Sequence, residues 1–467
     1  MGARLAAGTP APRRRSGRNP RTTPEPSTRP TSTGEARVSA TPIHRLTLPN
    51  GLRVILQPIP DLPTVGVSVH YNVGFRSEPA DRTGFAHLFE HLMFQGSRNV
   101  RKLEHFRRVQ AAGGSANGST HQDYTDYYQA VPSSALELVL YLEADRMLGP
   151  DITTENLLTQ VDVVKEEIRL NVTNRPYGGY PWTVLPGVLF DSYANAHNGY
   201  GDFEDLESAT VAECEAFFDT YYGPGNAVLT IAGGFEPQAA AEMVARWFGD
   251  VPARPAPPAP TLAEPPLARE RWGEHHDAHA PLPALAAGHR LPDPATARHG
   301  YLAHMVLSSI LTGGDNGRLT GRMVHRDQLV VDVRTGCGLF GAFEARDPDV
   351  FLMVATHSPA TRPEQILGVL DEELDDLARR GPQEAELARA TARTSAGTYR
   401  TYDGLTARTR ALGAFEVLHG AAELVDELPA LLAAVDAEQV GRAAGALRRD
   451  ARAVLPLVPA GSRANAA

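Results

Sequence analysis

Gly84-Phe85-Ala86-His87-Leu88-Phe89-Glu90-His91-Leu92-Met93-Phe94 is the stretch on which the reading of this chain turns. A helix over residues 84–94 advances ~100° per residue, so His87, Glu90, His91 and Phe94 share one face. Phe85, Leu88, Phe89 and Leu92 fall opposite and would anchor that helix in a core. Two imidazoles one turn apart can chelate one zinc ion, with a carboxylate beside them aimed at the metal's open position. Zinc brings the pKa of a water down to about 7, where a nearby carboxylate can take its proton. His87 and His91 are therefore the expected ligands and Glu90 the expected general base. The spacing alone leaves open a partly exposed helix whose histidines are merely polar.

A catalytic site with two histidines needs a third protein ligand, usually a carboxylate. The segment 153–172 reads as a helix and offers Glu166 and Glu167. Its apolar stripe runs Leu157, Val161, Val164, Ile168, a 4-3-4 spacing. Glu166 falls nearly opposite the stripe, while Glu167 lies about 80° from its centre, at the edge of the buried face. The helical face selects Glu167 as the ligand and leaves Glu166 as a solvated neighbour. Gln160, two turns before Glu167, shares its face and is expected to support the site by hydrogen bonding.

His87 to His91, with Glu167 lying 76 residues beyond His91, resembles the inverted-motif zinc peptidases of the pitrilysin and mitochondrial-processing-peptidase group. The segments Gly118 to Tyr128, Glu204-Asp205-Leu206 through Tyr222, and Asn226-Ala227-Val228 carry the same resemblance, and Arg318-Leu319 carries it more weakly. The resemblance covers about residues 42–440. It implies an α+β fold of two similar domains, each a mostly antiparallel sheet with helices on one face, forming half of a clamshell. It further implies one Zn²⁺ per chain and cleavage of peptides or unfolded segments. Substrate would add to an edge strand at Ala116, Asn117 and Gly118, whose small side chains let an extended peptide approach. Where the family commonly carries a second acid, seven residues before the third ligand, this chain has Gln160. In the second half, some family subunits carry an Arg and, seven residues later, a Tyr that steady the developing oxyanion. Here those positions read Val324 and Val331, and valine donates no hydrogen bond. The expected partner is thus a homologous second subunit supplying the Arg and Tyr in a heterodimer. Two other readings stay open: a peptidase dedicated to one leader or precursor, and a non-catalytic structural subunit of the same fold.

Composition agrees with a globular enzyme. The chain has 467 residues, 42% hydrophobic and 21% charged, a length that calls for more than one domain. Residues 1–40 hold eight arginines, two acids and six prolines, and are expected to be a disordered basic tail. The rest carries 37 basic and 53 acidic residues, a net charge of −16, which argues against nucleic-acid binding. No apolar run approaches the ~18 residues of a membrane span. The two cysteines, Cys214 and Cys337, are expected to be reduced, and the location cytoplasmic.

Seven prolines between residues 251 and 266 mark a stiff linker. The expected layout is a zinc-bearing domain over 41–250, a linker over 251–268, a second α+β domain over 269–450 and a flexible tail over 451–467. Within it, Asn50-Gly51 between apolar runs predicts a primed hairpin turn, and residues 119–131 a strand. Thr210-Val211-Ala212-Glu213 predicts a capping box. Long helices are expected over 383–413 and from 421 to the end.

Overall fold

The structure, a computed structural model, describes residues 41–460; the basic tail expected over residues 1–40 and the last seven residues lie outside them. Two six-stranded sheets carry the architecture. The first sheet is built from β1 (His44–Thr47), β2 (Arg53–Pro58), β3 (Thr64–Tyr71), β4 (Ser115–Thr120), β5 (Thr125–Pro132) and β6 (Ala227–Gly233). Its order is β1-β2-β6-β3-β5-β4, antiparallel except where β2 runs beside β6, and it leaves β4 as a free edge. The second sheet uses β7 (Arg271–Trp272), β8 (His275–Asp277), β9 (Ala284–Arg290), β10 (Val330–Cys337), β11 (Val350–His357) and β12 (Arg452–Pro459). Its order is β10-β11-β9-β12-β7, with β8 also pairing β12. The fold is thus α+β with two sheets, as the sequence implies.

Alternation sets the faces of the first sheet. Val65, Val67 and Val69 on β3 point into a core with Val139 and Leu140 of the helix Leu136–Leu148 and with Val244 and Phe248 of the helix Pro237–Phe248. The opposite face takes a helix from the second half, Leu405–His419. There the Thr409 hydroxyl lies where any side chain at Gly66 would sit, and Gly413 packs on the His70 ring. The exchange is reciprocal: Leu185 and Leu189, from the short first-half helix Leu185–Leu189, join Ala286, Leu455 and Leu457 on the outer face of the second sheet. The first half closes one core of its own, while the other two cores draw on both halves.

Several local expectations change. The turn after β1 is a three-residue loop, Pro49-Asn50-Gly51, in which only Gly51 has positive φ (93°). Pro49 suits the first position of an ordinary turn, followed by a left-handed glycine. Asn50 is buried, and its amide donates to the carbonyls of Phe248 (2.7 Å) and Val251 (3.0 Å). Residues 115–132 form a hairpin, β4 and β5, rather than one strand, because residues 121–124 turn the chain. The expected helix over 383–413 breaks at Asp403-Gly404 into Glu384–Tyr402 and Leu405–His419, which frees the second piece to cross to the first sheet. The capping box at Thr210 and Glu213 is formed.

The tail expected over 451–467 is corrected over residues 452–459: β12 is an inner strand of the second sheet, paired with β9 from Arg452 to Leu457. Pro456 disguises it. Val454 turns its carbonyl toward Gly273, so Pro456, two residues on, faces the same side. That side is where the parallel partner is interrupted between β7 and β8, and the missing N–H costs nothing there. The proline-rich connection, meanwhile, is strapped down. Glu264 accepts from the backbone N–H groups of Asp191 and Ser192 (2.9 Å each) and from the Asn195 amide (2.9 Å).

Candidate metal centre

The helix Phe85–Leu92 starts at Gly84, whose φ of 83° admits the chain at an angle few other residues tolerate. Buried Glu78 accepts from the N–H groups of Gly84 (2.9 Å) and Ala86 (2.7 Å), satisfying donors that the helix itself leaves orphaned. His197 in turn approaches Glu78 at 3.2 Å. Phe89 packs against Phe217, Phe218 and Tyr222, fixing the helix by its apolar face and turning His87, Glu90 and His91 the other way. The helix Thr154–Ile168 lies beside it. Its last turn runs on into a wider coil, Arg169–Thr173, which carries Asn171 up to Glu167.

The structure brings His87, His91 and Glu167 together. His87 Nε2 lies 3.7 Å from Glu167 Oε1 and His91 Nε2 lies 3.4 Å from Glu167 Oε2. One donor atom from each residue lies within 4.8 Å of the other two, the one such His/Cys/Asp/Glu cluster among the described residues. Zinc bonds of about 2.0–2.2 Å in a tetrahedron separate ligand atoms by ~3.4 Å, so these spacings fit that ion. At His87 and Glu167 the protonation state fits too. Burial, then the neighbouring His91, push the His87 imidazole down to about 4, so it offers a lone pair at neutral pH. The hydrogen bond from His91 holds the Glu167 carboxyl below its usual range. Burial opposes the charged form of His91, but Glu167 and Glu90 more than offset this, and Gln160 hydrogen-bonds the same ring. Gln160 is buried, as its helical face requires, whereas Glu166 is exposed and pairs with Arg169.

Glu90 belongs to the cleft but not to the ligand cluster. Burial pushes its carboxyl up to about 7, against the pull of the Thr120 hydroxyl, which donates to Oε2 at 2.7 Å. Thr120 and Gly118 alternate toward Glu90 from the free edge strand β4. A Cβ on Gly118 would sit 3.0 Å from Glu90 Cγ and 3.1 Å from its Oε1. Of the three expected substrate contacts only Gly118 lines the cleft; Ala116 packs on the first core, and Asn117 is exposed with its Oδ1 accepting from Gly118 N–H (3.0 Å). Ser119 and Thr120 line the cleft in their place.

The sequence reading misses the aromatic wall: Phe75, Trp182 and Tyr200 from the first half and Phe340 from the second. Their only sequence signal is bulk in loop-like segments rich in glycine. Val331, by contrast, is exposed and Val324 packs against the second core, while the neighbouring Arg322 is held by Asp327, Glu372 and Glu373.

A partly buried His-His-carboxylate cluster with a raised carboxyl beside it is the arrangement of a metal-dependent hydrolase. A family model described as insulinase, peptidase family M16, matches residues 53–176, and one described as the peptidase M16 inactive domain matches residues 208–393. The chain belongs to the M16 peptidase family, a family of zinc peptidases of the insulinase and pitrilysin kind. It is 27% identical over 350 residues to the zinc protease PqqE of Helicobacter pylori, covering 73% of this chain and 76% of that one. It is 25% identical over 415 residues, 85% of each chain, to an uncharacterised zinc protease of Streptomyces coelicolor. The crystal structure of a protease from Helicobacter pylori shares the fold, with a TM-score of 0.82 at 23% identity, covering 90% of this chain and 100% of that chain. The second half, which the inactive-domain model covers as far as residue 393, holds no such cluster among its described residues. No described helix is long and apolar enough to cross a membrane.

Proposed function

We propose that this chain is a zinc endopeptidase that hydrolyses peptides or unfolded segments, with His87, His91 and Glu167 holding one zinc ion. The observation that carries the reading is the convergence of three ligand atoms, spaced for zinc, beside a half-buried carboxylate that no ion pair engages among the described residues. Zinc, when bound, supplies Lewis acidity that polarises a carbonyl and makes a water nucleophilic near pH 7. The chain's own residues do the rest. The free edge of β4 offers backbone groups to an extended peptide and holds it against the cleft. Glu90 takes the proton of the water that adds to the scissile carbonyl carbon. It then delivers that proton to the amide nitrogen as the C–N bond breaks. Thr120 fixes the carboxylate for both transfers, and Gln160 and Asn171 hold His91 and Glu167 in register.

Among the described residues, the positions where the resemblance would put an oxyanion donor in the second half offer none. Val331 carries no donor, Arg322 is committed to three acids, and Arg326 pairs with Asp327. This supports a heterodimer in which a related subunit supplies Arg and Tyr. Buried, unpaired Cys214 and Cys337 suit a cytoplasmic location. The deciding experiment is metal analysis with a cleavage assay on a mixed peptide pool, on the purified chain alone and with candidate partner subunits. About one zinc per chain, and cleavage that Glu90→Gln abolishes while zinc stays, are expected. A chain that binds no zinc would overturn the enzyme reading in favour of a structural subunit.

A further inference from the structure

The strand β4 is hydrogen-bonded along one side only, and its residues Gly118, Ser119 and Thr120 form a rim of the cleft. Gly118 and Thr120 face Glu90. Ser119, between them, faces the other side of the sheet, opposite Asp126 on β5, which in turn stands opposite His70 on β3. That side carries the helix Leu405–His419 from the second half, and Arg410 reaches the sheet from it. Its guanidinium grips fully buried Asp126 with two donors, Nε at 2.6 Å and Nη2 at 2.9 Å, while its Cζ lies 4.3 Å from the centre of the Tyr128 ring. The same Nη2 stands 3.4 Å from His121 Nε2, and the Ser119 hydroxyl lies 2.9 Å from that nitrogen.

The imidazole between them has a defined state. A guanidinium only donates, so His121 Nε2 accepts from Arg410, the ring proton sits on Nδ1, and the Ser119 hydroxyl donates to Nε2 as well. Burial above all holds this imidazole down at about 4, with Asp126 opposing and Arg410 assisting, so its lone pair is free at neutral pH. The ring lies flat on Tyr124 (centroids 4.3 Å apart, 12° between planes), and Glu344 Oε2 stands 3.8 Å from Nδ1. The tip of the same turn has a lock of its own. Buried Arg76 donates to Asp123 (3.2 Å) and to the carbonyls of Arg346 (3.2 Å) and Pro348 (2.6 Å), and its backbone N–H donates to the Gln122 carbonyl (3.0 Å). Arg410 adds a hold on the strands themselves, at Ser119 and Asp126, from a position 284 residues beyond Asp126.

We infer that Arg410 is a positioning residue: through Asp126 and His121 it fixes the end of the edge strand to which substrate would add, and so sets how tightly peptide is held. The inference rests on the peptidase reading for the identity of the ligand as a peptide. Arginine suits this task where lysine does not. Its planar fork reaches Asp126 and His121 at once, whereas a single ammonium on a flexible stem serves the carboxylate alone. Arg410 touches neither Glu90 nor the three ligand atoms, so its loss should act on KM rather than on kcat or zinc content.

The test uses the full chain and two readouts. Arg410→Lys keeps a cation beside Asp126 and with it the fold. Arg410→Met combined with Asp126→Leu removes both charges together, a replacement that often leaves stability intact. Hydrogen exchange read by mass spectrometry, with no peptide present, compares the amides of residues 117–120 with those of the inner strand β3. Fluorescent peptides are titrated by anisotropy against zinc-loaded Glu90→Gln protein, and KM and kcat are measured on the active assembly, each with Ser119 intact or changed to Ala. Exchange over 117–120 should quicken about tenfold in both variants while β3 keeps its protection. Peptide Kd and KM should rise about fivefold, with kcat and zinc content held. In the Ser119→Ala background Arg410→Lys should add no more than about twofold, because the path from Arg410 through His121 ends at that hydroxyl. Unchanged exchange over 117–120, equal acceleration of β3 and β4, or full additivity with Ser119→Ala would overturn the inference. Selective loosening of β4 with no peptide bound or cleaved by any form, alone or partnered, would sink the peptidase reading and leave the role of Arg410 on β4 standing. Cleavage with β4 unmoved would do the reverse.

Discussion

Gly118→Ala is the change most directly computable from the site. The added methyl would stand 3.0 Å from Glu90 Cγ, 3.1 Å from Glu90 Oε1 and 3.2 Å from Phe94 Cε2. Ordinary carbon–carbon contacts begin near 3.5 Å, so Glu90 must retreat by a few tenths of an ångström. It cannot do so freely, since the Thr120 hydroxyl, two residues along the same strand, holds its Oε2 at 2.7 Å. A 1 Å misplacement of a catalytic group costs on the order of 10²-fold, so a shift of this size should lower kcat about tenfold, or ~1.4 kcal/mol in the barrier. Alanine suits an extended strand at least as well as glycine, so the thermal midpoint should hold or rise slightly. None of the crowded atoms belongs to His87, His91 or Glu167, and zinc content should not change. Steady-state kinetics of the active assembly, metal analysis and a thermal melt separate these effects. Full kcat with native zinc and an unchanged melt would show that β4 yields instead, and that the position of Glu90 is not set by this contact.

His87→Ala and His91→Ala should each empty the metal site, by elemental analysis of the purified chain. Glu167→Gln should weaken zinc retention while Glu166→Gln should not, because only Glu167 faces the imidazoles; equal losses would refute the helical-face argument. His70 is fully buried between Asp126 (3.7 Å), Arg410, His121 and the Tyr124 ring, and burial lowers its folded pKa to about 4 from 6.5. Its folded pKa is depressed, so the stability it confers is complete above pH 6.5 and is lost as pH falls toward 4. Relative to His70→Gln, the unaltered chain should lose up to ~3 kcal/mol between pH 7 and 4 in urea titrations. Arg76→Met should destabilise by ~3 kcal/mol or more in the same assay at pH 7, since it strands buried Asp123 and two carbonyls between the halves; a change under 1 kcal/mol would show the lock to be idle.

The metal centre was open to sequence reasoning because its members sit on helices. Period 3.6 turns His87, Glu90 and His91 into one face and separates Glu167 from Glu166 without any tertiary information. The aromatic wall was not open to it. Trp182, Tyr200 and Phe340 lie in irregular segments, and nothing local says that a loop at residue 340 meets one at residue 75. The edge strand β4, where the sequence reading expects substrate, fell between these cases. Its place could be read from small residues, but which of Ala116, Asn117 and Gly118 faces the cleft depends on a hairpin register that the 121–124 turn decides. At the C-terminus the misreading of β12 came from Pro456, whose tolerance rests on a gap between two short strands some 180 residues upstream.

The crossing of Leu405–His419 onto the first sheet has a consequence in time. The strands of that sheet are complete once β6 has been synthesised, yet the helix that covers their outer face ends about 190 residues later. At ~5–20 residues per second, a nascent chain would carry that sheet half-naked for roughly 10–40 s. During that interval Ile55, Val228 and Ala232, which end up in the second half's core, have nothing to bury against. Release of the chain truncated before residue 405 would leave the same surface exposed permanently. Ribosome-bound chains of this protein should therefore be clients of holdase chaperones until their last third emerges.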